Sequence, residues 1–518
     1  MDIYTVKLSR RTLFQWTAGA AAAMLAGRVS AARGKAAKPA ALLQTATFQN
    51  PLFAGDHADP SILRVGQDYY FTHTPYDYAP GLVVWHSRDL VNWLPISHAL
   101  KAEDNTHGEV WAPDLIEHEG RYFIYFAMGG IHVVHAENPA GPWSAPVDLK
   151  VSDIDPGHVV GPDGKRYLYT AGGHVIELSA DGLSTVGERK TVYEGWQFPK
   201  EWKTEGFWLE SPKLTRRGEY YYLICAEGGT AGPPTSHMSV VARSKSPLGP
   251  WDNSPHNPLI HTYSADEEWW SVGHGTLVST PDERWYFVYH GYRNGLQTLG
   301  RQVLMEPVEW TADGWPLAPL GAKRSLPMPA PLGIAQRPMV PLSDDFRAPA
   351  LKLTWGACQE TDMSRYQAGK GTLTVRAKAS AAGQSSPLTV RARNASYAVQ
   401  VVATPQQDCG AALGLFYNPD HWLFAELKSG QLHVYGAKEV LASRAWKADT
   451  AHLKIVNRHN VVEFLASEDG HNWQSLVAAV DVSGYSHKDL GGFKCLRPAL
   501  AASGTGMARF ADFSYRAL

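Results

Sequence analysis

Five stretches of this chain share one grammar, and that repetition restricts the fold more than any single motif does. Each opens on a polar residue, runs through a short apolar strand and a Gly/Asp turn, and continues into an aromatic strand. Most then add a further apolar strand, often ending in Asn-x-Trp or Gly-Pro-Trp. The openings lie at Asp59, at Trp111-Ala112-Pro113-Asp114, at Asp155, at Glu210-Ser211-Pro212 and at Gly273-His274-Gly275. The unit starts at 59, 111, 155, 210 and 273 are 52, 44, 55 and 63 residues apart, which suits four-stranded blades with loop insertions. Aromatic residues at 11%, with 47 Gly and 34 Pro, fit strands punctuated by turns and point to an all-β chain. The spacing therefore predicts a five-bladed β-propeller over 48–325, its opening residues facing one axial pocket. A sandwich with irregular strand spacing is the competing architecture.

The rest of the 518 residues divides around that repeat. Ser9-Arg10-Arg11-Thr12-Leu13-Phe14, the apolar run Ala18 to Ala26 and the small-residue site Val29-Ser30-Ala31 read as a twin-arginine signal peptide over 1–31. The apolar run is far shorter than the roughly 20 residues a membrane-spanning helix needs. The expectation is an exported, periplasmic or extracellular protein with no membrane span. A net charge of -2 suggests no nucleic-acid partner. None of the four cysteines, Cys225, Cys358, Cys409 and Cys495, belongs to a CxxC pair, so no zinc site is indicated, although export would permit one disulfide in the C-terminal part. Prolines at 327, 329, 331, 338 and 341 mark 326–341 as a stiff linker or surface strap. Beyond it, alternating strands such as TLTVRAK, YAVQVVATP and HWLFAELK predict a second all-β domain, a two-sheet sandwich over 342–518.

Three openings bring a carboxylate to the channel: Asp59, Asp155 and Glu210. Water attack on a glycosidic bond needs one carboxylate as base and one carboxylic acid to protonate the leaving oxygen. A third can raise the acid's pKa by like-charge repulsion. Asp153 competes with Asp155, and Glu205-Gly206 with Glu210; the prolines after Asp155 and Ser211 favour Asp155 and Glu210.

Five motifs in order resemble glycoside hydrolase family 43 over roughly 48–320: HADPS at 57–61, WAPDL at 111–115, DIDPG at 153–157, ESPKL followed by GEYYYL, and GHGTLV at 273–278. The resemblance implies that Asp59 is the general base, Asp155 the residue that orients the acid and tunes its pKa, and Glu210 the general acid. Here Glu-Ser-Pro replaces the family's common Glu-Gly-Pro at the acid. By the same resemblance His274 lies under the pocket on the propeller axis and is a candidate for a hydrated calcium ion of structural or electrostatic role, no cofactor being required for the chemistry. Arg301 is carried over as a contact to a substrate hydroxyl. Trp111 and Asp114 are read as bracing the second blade. Trp111, Trp208 and Trp270 are candidates for sugar contact, with Trp85, Phe207 and Trp269 behind them. The C-terminal part, with SDDF and GAALGLFYNPDHWLFAELK, resembles the concanavalin-like (jelly-roll) sandwich appended to β-xylosidases of that family.

The expectation is an inverting exo-glycosidase acting on plant cell-wall oligosaccharides, a β-xylosidase first and an α-L-arabinofuranosidase second, with a galactose-releasing enzyme behind both. The invertase-like motifs that signal a covalent nucleophile are absent, the corresponding stretches reading HADPS, DIDP and ESP. A non-catalytic sugar-binding propeller is the rival from another class, and the presence of all three carboxylates weighs against it. An exo-enzyme needs a pocket closed at one end. The sandwich is therefore expected to pack on the propeller and supply a loop near the rim, an aromatic loop being one form of it; the alternative is a freely tethered module that binds polysaccharide.

Overall fold

A computed structural model describes residues 46–105, 108–406 and 408–518. The segment read as an export signal lies outside the described residues. Five antiparallel sheets, each built on four strands, follow one another along the chain, each strand pairing mainly with its sequence neighbours. Blade I comprises Ser61–Val65, Asp68–Thr72, Gly81–Ser87 and Leu94–Leu100; blade II comprises Trp111–His118, Arg121–Ala127, Ile131–Ala136 and Val147–Asp148. Blade III runs through Gly157–Val160, Arg166–Thr170, His174–Leu178 and Thr185–Thr191. Blade IV runs through Glu210–Arg217, Tyr220–Glu227, Met238–Ser244 and Asp252–Asn253, with Ile260–His261 as an extra strand on the third. Blade V has Trp269–Ser279, Trp285–Arg293, Arg301–Trp310 and Pro316–Leu317.

Tight turns make the sharp reversals. In blade II, Glu119 and Gly120 form a two-residue hairpin turn with φ of 52° and 78°, the left-handed pair that matches strand twist. The first strand of each blade contacts the first strand of the next, and the fifth returns to the first, which closes the ring. Apolar cores sit between blades. Val84, Leu115, Ile124 and Phe126 pack together between blades I and II, and Phe53, Phe71, Trp85 and Val303 join V to I. The segment before blade I reinforces that last joint. Phe53 bridges Val303, and the Asn50 side chain both donates to Met305 O and accepts from Met305 N at 2.9 Å.

The sandwich has one sheet of eight strands and one of seven. Ser396–Pro405 shows how it is written: alternate residues Tyr397, Val399, Val401 and Ala403 are buried between the sheets, as period-two patterning requires. The eight-stranded sheet ends on a strand that does not belong to the sandwich sequence. Tyr78–Ala79, in the insertion of blade I, pairs with Gly356–Cys358. Around that junction Ala58, Tyr76 and Tyr78 of the propeller are buried against Phe416, Trp422 and Phe424 of the sandwich. Each large apolar side chain buried there contributes roughly 1.5–3 kcal/mol relative to exposure, so the sandwich is fixed against the propeller rather than tethered to it. The Pro-rich stretch is a strap. Met328–Pro329 pairs with Thr47–Phe48, Arg337 N donates to Asn92 Oδ1 at 2.7 Å, and Arg393 of the sandwich donates to Val340 O at 2.6 Å. All four cysteines are buried and free, so the disulfide that export would permit is not formed.

Candidate active site

The innermost strand of every blade is entered through the same backbone irregularity. Asp59, Ala112, Asp155, Ser211 and His274 have left-handed φ values between 41° and 55°. Four precede a proline and the fifth precedes Gly275. Left-handed non-glycine residues cost on the order of 1–3 kcal/mol each and persist where the surroundings over-determine them. Here the distortion turns this residue, or the one before it, toward the axis. The resulting pocket of about 130 Å³ is lined by Asp59, Trp111, Ala112, Ile154, Asp155, Glu210 and His274 from the blade openings, with Tyr76, Thr230, Arg301 and Phe493. Glu210 stands one residue ahead of Asp59 and Asp155 in this register, level with Trp111 and Ile154.

Asp59 is at the buried base. Thr74 Oγ1 donates to its Oδ2 at 2.6 Å, and Arg301 Nη1 donates to its Oδ1 at 2.8 Å. Its own N–H donates to His290 Nδ1 at 3.0 Å, and His274 Nδ1 lies 3.3 Å from Oδ1. Burial would raise the pKa of this carboxyl, but Arg301, His274 and the Thr74 hydrogen bond outweigh it and hold the pKa below the ordinary value. Asp155 is equally buried. Its pKa is pushed up by burial and then by the charge of Asp59. Its Oδ2 accepts from Ser211 N at 3.0 Å, so it grips the backbone next to Glu210. Blades III and IV approach so closely here that a Cβ on Gly157 would lie 1.7 Å from Pro212 O, which only glycine permits.

Glu210 is nearer the mouth, its side chain 22% exposed, with His237 Nε2 at 3.6 Å. Burial, then the charges of Asp155 and Asp59, push its pKa well above the usual carboxylate value. The two carboxyls at the ends of the set are therefore driven in opposite directions, one toward a base and one toward an acid. Burial lowers the histidines around them, His237 to about 3 and His274 to about 4, so they are neutral at pH 7. Beneath the pocket Lys213 Nζ pairs with Asp114 Oδ1 at 2.9 Å and donates to Pro113 O and Pro156 O, linking blades II, III and IV.

The other residues singled out in the sequence fall into distinct places. Arg301 is in the pocket, donating to the Tyr76 hydroxyl at 2.7 Å and lying 5.3 Å from the Phe493 ring centre. Trp111 forms part of the wall and is 36% exposed. Trp208 does not line this pocket: it is 56% exposed and lies beside Gly206 and Gly229. Trp270 lines a separate cleft with Pro233, Pro234, Tyr292, Gln297 and His487, which shares only Thr230 with the pocket. Trp85 and Trp269 are core residues, and Phe207 stacks on Phe198 with ring centres 5.6 Å apart. Asp153 pairs instead with Arg189, and Glu205 accepts from Ala231 N. Sequence reasoning missed Thr74, Tyr76, His237, His290 and Phe493. The first two follow YYF in the stretch THTPY, and none of the five stands in a motif.

His274 Nε2 is buried without a hydrogen-bond partner, an orphan nitrogen that fits one ligand position of a cation. No group of three or more His, Cys, Asp or Glu able to hold a metal occurs among the described residues. Calcium takes six to eight ligands, mostly oxygen, so an ion held here would draw its remaining ligands from water.

Residues 48–316, more than half the chain, match the family described as Glycosyl hydrolases family 43. The chain belongs to glycosyl hydrolase family 43. Residues 343–516 of this glycoside hydrolase match the Beta xylosidase C-terminal Concanavalin A-like domain. A xylan 1,3-beta-xylosidase from a Vibrio species is 30% identical over 91% of this chain and 99% of that protein. A non-reducing end alpha-L-arabinofuranosidase of Bacteroides ovatus is 38% identical, over 52% of this chain and 53% of that protein. Among solved structures, a family 43 protein from Bacillus licheniformis superimposes with a TM-score of 0.83 at 28% identity, covering 91% of this chain and 100% of that one. The xylan beta-1,4-xylosidase of Bacillus halodurans gives 0.80 at 26% identity, over 90% and 99%. Coverage of 91% and 90% means that both superpositions extend over the propeller and the sandwich of this chain.

Proposed function

We propose that this glycoside hydrolase is an inverting exo-enzyme that removes a terminal pentose from plant cell-wall oligosaccharides, with xylose in β linkage as its first substrate. The observation that carries the reading is that Asp59 and Glu210 line one pocket in unlike surroundings. Arg301 and Thr74 hold Asp59 toward its ionised form, whereas burial and neighbouring carboxylates push Glu210 toward its protonated form. Asp59 accepts a proton from a water molecule as that water attacks the anomeric carbon. Glu210 gives its proton to the departing glycosidic oxygen on the other side of the sugar. Asp155 holds the backbone after Glu210, and its carboxyl beside the acid raises the acid's pKa. Arg301 fixes the base through Asp59 Oδ1, and it lines the pocket where a sugar hydroxyl would sit. Base and acid each contribute on the order of 10²–10⁴-fold.

The Phe493 ring, carried by the sandwich, lines this pocket and favours a site for a chain end over an open groove. Release of α-L-arabinofuranose is the second reading, favoured by the 38% identity, over 52% of this chain, to the Bacteroides ovatus arabinofuranosidase. A hydrated calcium at His274 would be structural in either case. Turnover of 4-nitrophenyl β-xylopyranoside, α-L-arabinofuranoside and β-galactopyranoside at equal concentration tests the reading. The xyloside is expected to have the highest kcat/KM. An arabinofuranoside preference above about tenfold, or 1.4 kcal/mol, would select the second reading, and no hydrolysis of any pentoside would overturn both.

A further inference from the structure

Three aromatic side chains form walls of the carboxylate pocket: Tyr76, Trp111 and Phe493. They arrive from three separate segments, the blade I insertion, the opening of blade II and the sandwich. All three lead back to one buried cation. Lys494 Nζ lies 2.6 Å from Asp77 Oδ2 and 3.2 Å from Glu109 Oε1. Asp77 follows Tyr76 in the chain, and Lys494 follows Phe493. Glu109 Oε2 accepts a 3.0 Å hydrogen bond from Trp111 Nε1. The side chains of Lys494 and Asp77 are only 7% and 6% exposed, so this ion pair is poorly screened by solvent. Asp77 is further anchored to the sandwich, its Oδ2 accepting from Gln359 Nε2 at 3.1 Å and its carbonyl from Gln359 N at 2.7 Å. Tyr76 and Val110 exchange backbone hydrogen bonds of 3.1 and 3.0 Å, which ties the first segment to the second.

We propose that Lys494 is a positioning residue for hydrolysis, setting the spacing of the three aromatic walls through Asp77 and Glu109. The proposal rests on this pocket being the hydrolytic site. Lys494 is not among the residues that line the pocket, so it acts through its neighbours. An ammonium is a compact charge with three donors, and here it draws together carboxylates from two propeller segments while its own backbone carries the third wall. Loss of the charge releases Glu109, and with it the indole of Trp111, and leaves Asp77 buried without its cation. The sugar is then held in a wider, less defined pocket. Proton transfer is untouched, because the states of Asp59 and Glu210 are set by burial, Arg301, His274 and the carboxylates themselves.

The experiment compares Lys494→Met and Asn460→Ala in the full chain, with steady-state kinetics on the aryl glycoside that the parent turns over best. Asn460 also joins the sandwich to the propeller, accepting from Thr298 Oγ1 at 2.6 Å and donating to Gly295 O at 3.1 Å, but far from the aromatic walls in sequence and outside the pocket lining. Lys494→Met should raise KM about tenfold with a much smaller change in kcat and unmoved limbs of the pH profile, the pattern of lost substrate binding. Asn460→Ala should lower Tm and leave KM at the parental value. A parental KM in Lys494→Met, or the same KM rise in Asn460→Ala, overturns the proposal. If Lys494→Met fails to fold, Glu109→Gln decides: a KM rise of about threefold is expected, and an unchanged KM refutes the idea. Should Asp59→Asn retain hydrolysis, the reading of the site fails; an inactive Asp59→Asn beside a normal Lys494→Met rejects only the role of Lys494.

Discussion

Asp59→Asn is expected to lower kcat by about a thousandfold or more on every substrate, activated aryl glycosides included. Asparagine keeps the shape of the side chain and can still accept from Thr74 or Arg301, but it cannot take a proton from water. Attack by water is needed whatever the leaving group, so a better leaving group brings no rescue. The substitution also leaves the buried guanidinium of Arg301 without the carboxylate 2.8 Å away. Removing one partner of a buried pair costs about 3–5 kcal/mol, so the loss of activity must be read at a temperature where circular dichroism still reports the native fold. The acidic limb of the parental pH profile is expected to come from this residue. Activity should fall as pH drops through the Asp59 pKa, which lies below the ordinary aspartate value.

Glu210→Gln is expected to separate substrates that Asp59→Asn treats alike. On xylo-oligosaccharides, whose leaving oxygen needs a proton, kcat should fall by about 10²–10⁴-fold. On nitrophenyl glycosides, whose leaving group departs as a stable anion, the fall should be within roughly tenfold. The sign of the pH effect is fixed by the direction of the shift. The acid works only while protonated, so parental activity is present below its raised pKa and lost as pH climbs through it. Glutamine cannot titrate, and the basic limb should vanish from the nitrophenyl glycoside profile. Equal losses on both substrate types would remove Glu210 from the role of acid.

How much of this could be read in the chain depends on whether a feature is local. Blade strands repeat a short hydrophobic code, and the sandwich alternates with period two, so propeller and sandwich were both legible. Asp59 and Asp155 stand before prolines, which makes them visible as openings. The one-residue offset of Glu210 shows in the sequence only as Ser211 standing between it and the proline, and its structural meaning emerges when Ser211 is found to share the left-handed backbone of Asp59 and Asp155. Tyr78–Ala79 joining the sandwich sheet is a pairing across more than 270 residues, with Ala357 and Cys358, and no local pattern encodes it. Phe493 lies between a short helix and a strand in a stretch, GGFKCL, that carries no motif, yet its ring reaches the pocket through that same docking. Trp208 and Trp270 show the opposite failure. Aromatic residues are so frequent here that proximity in sequence to Glu210 and His274 did not imply proximity in space.

If water, activated by Asp59, displaces a leaving group protonated by Glu210 in a single step, the anomeric configuration must invert. Proton NMR of the anomeric region during the first turnovers of a β-xyloside tests it most directly, provided mutarotation is slower than hydrolysis. α-Xylose should appear first and β-xylose grow in only as mutarotation proceeds; β-xylose as the first product would rule out single-step displacement.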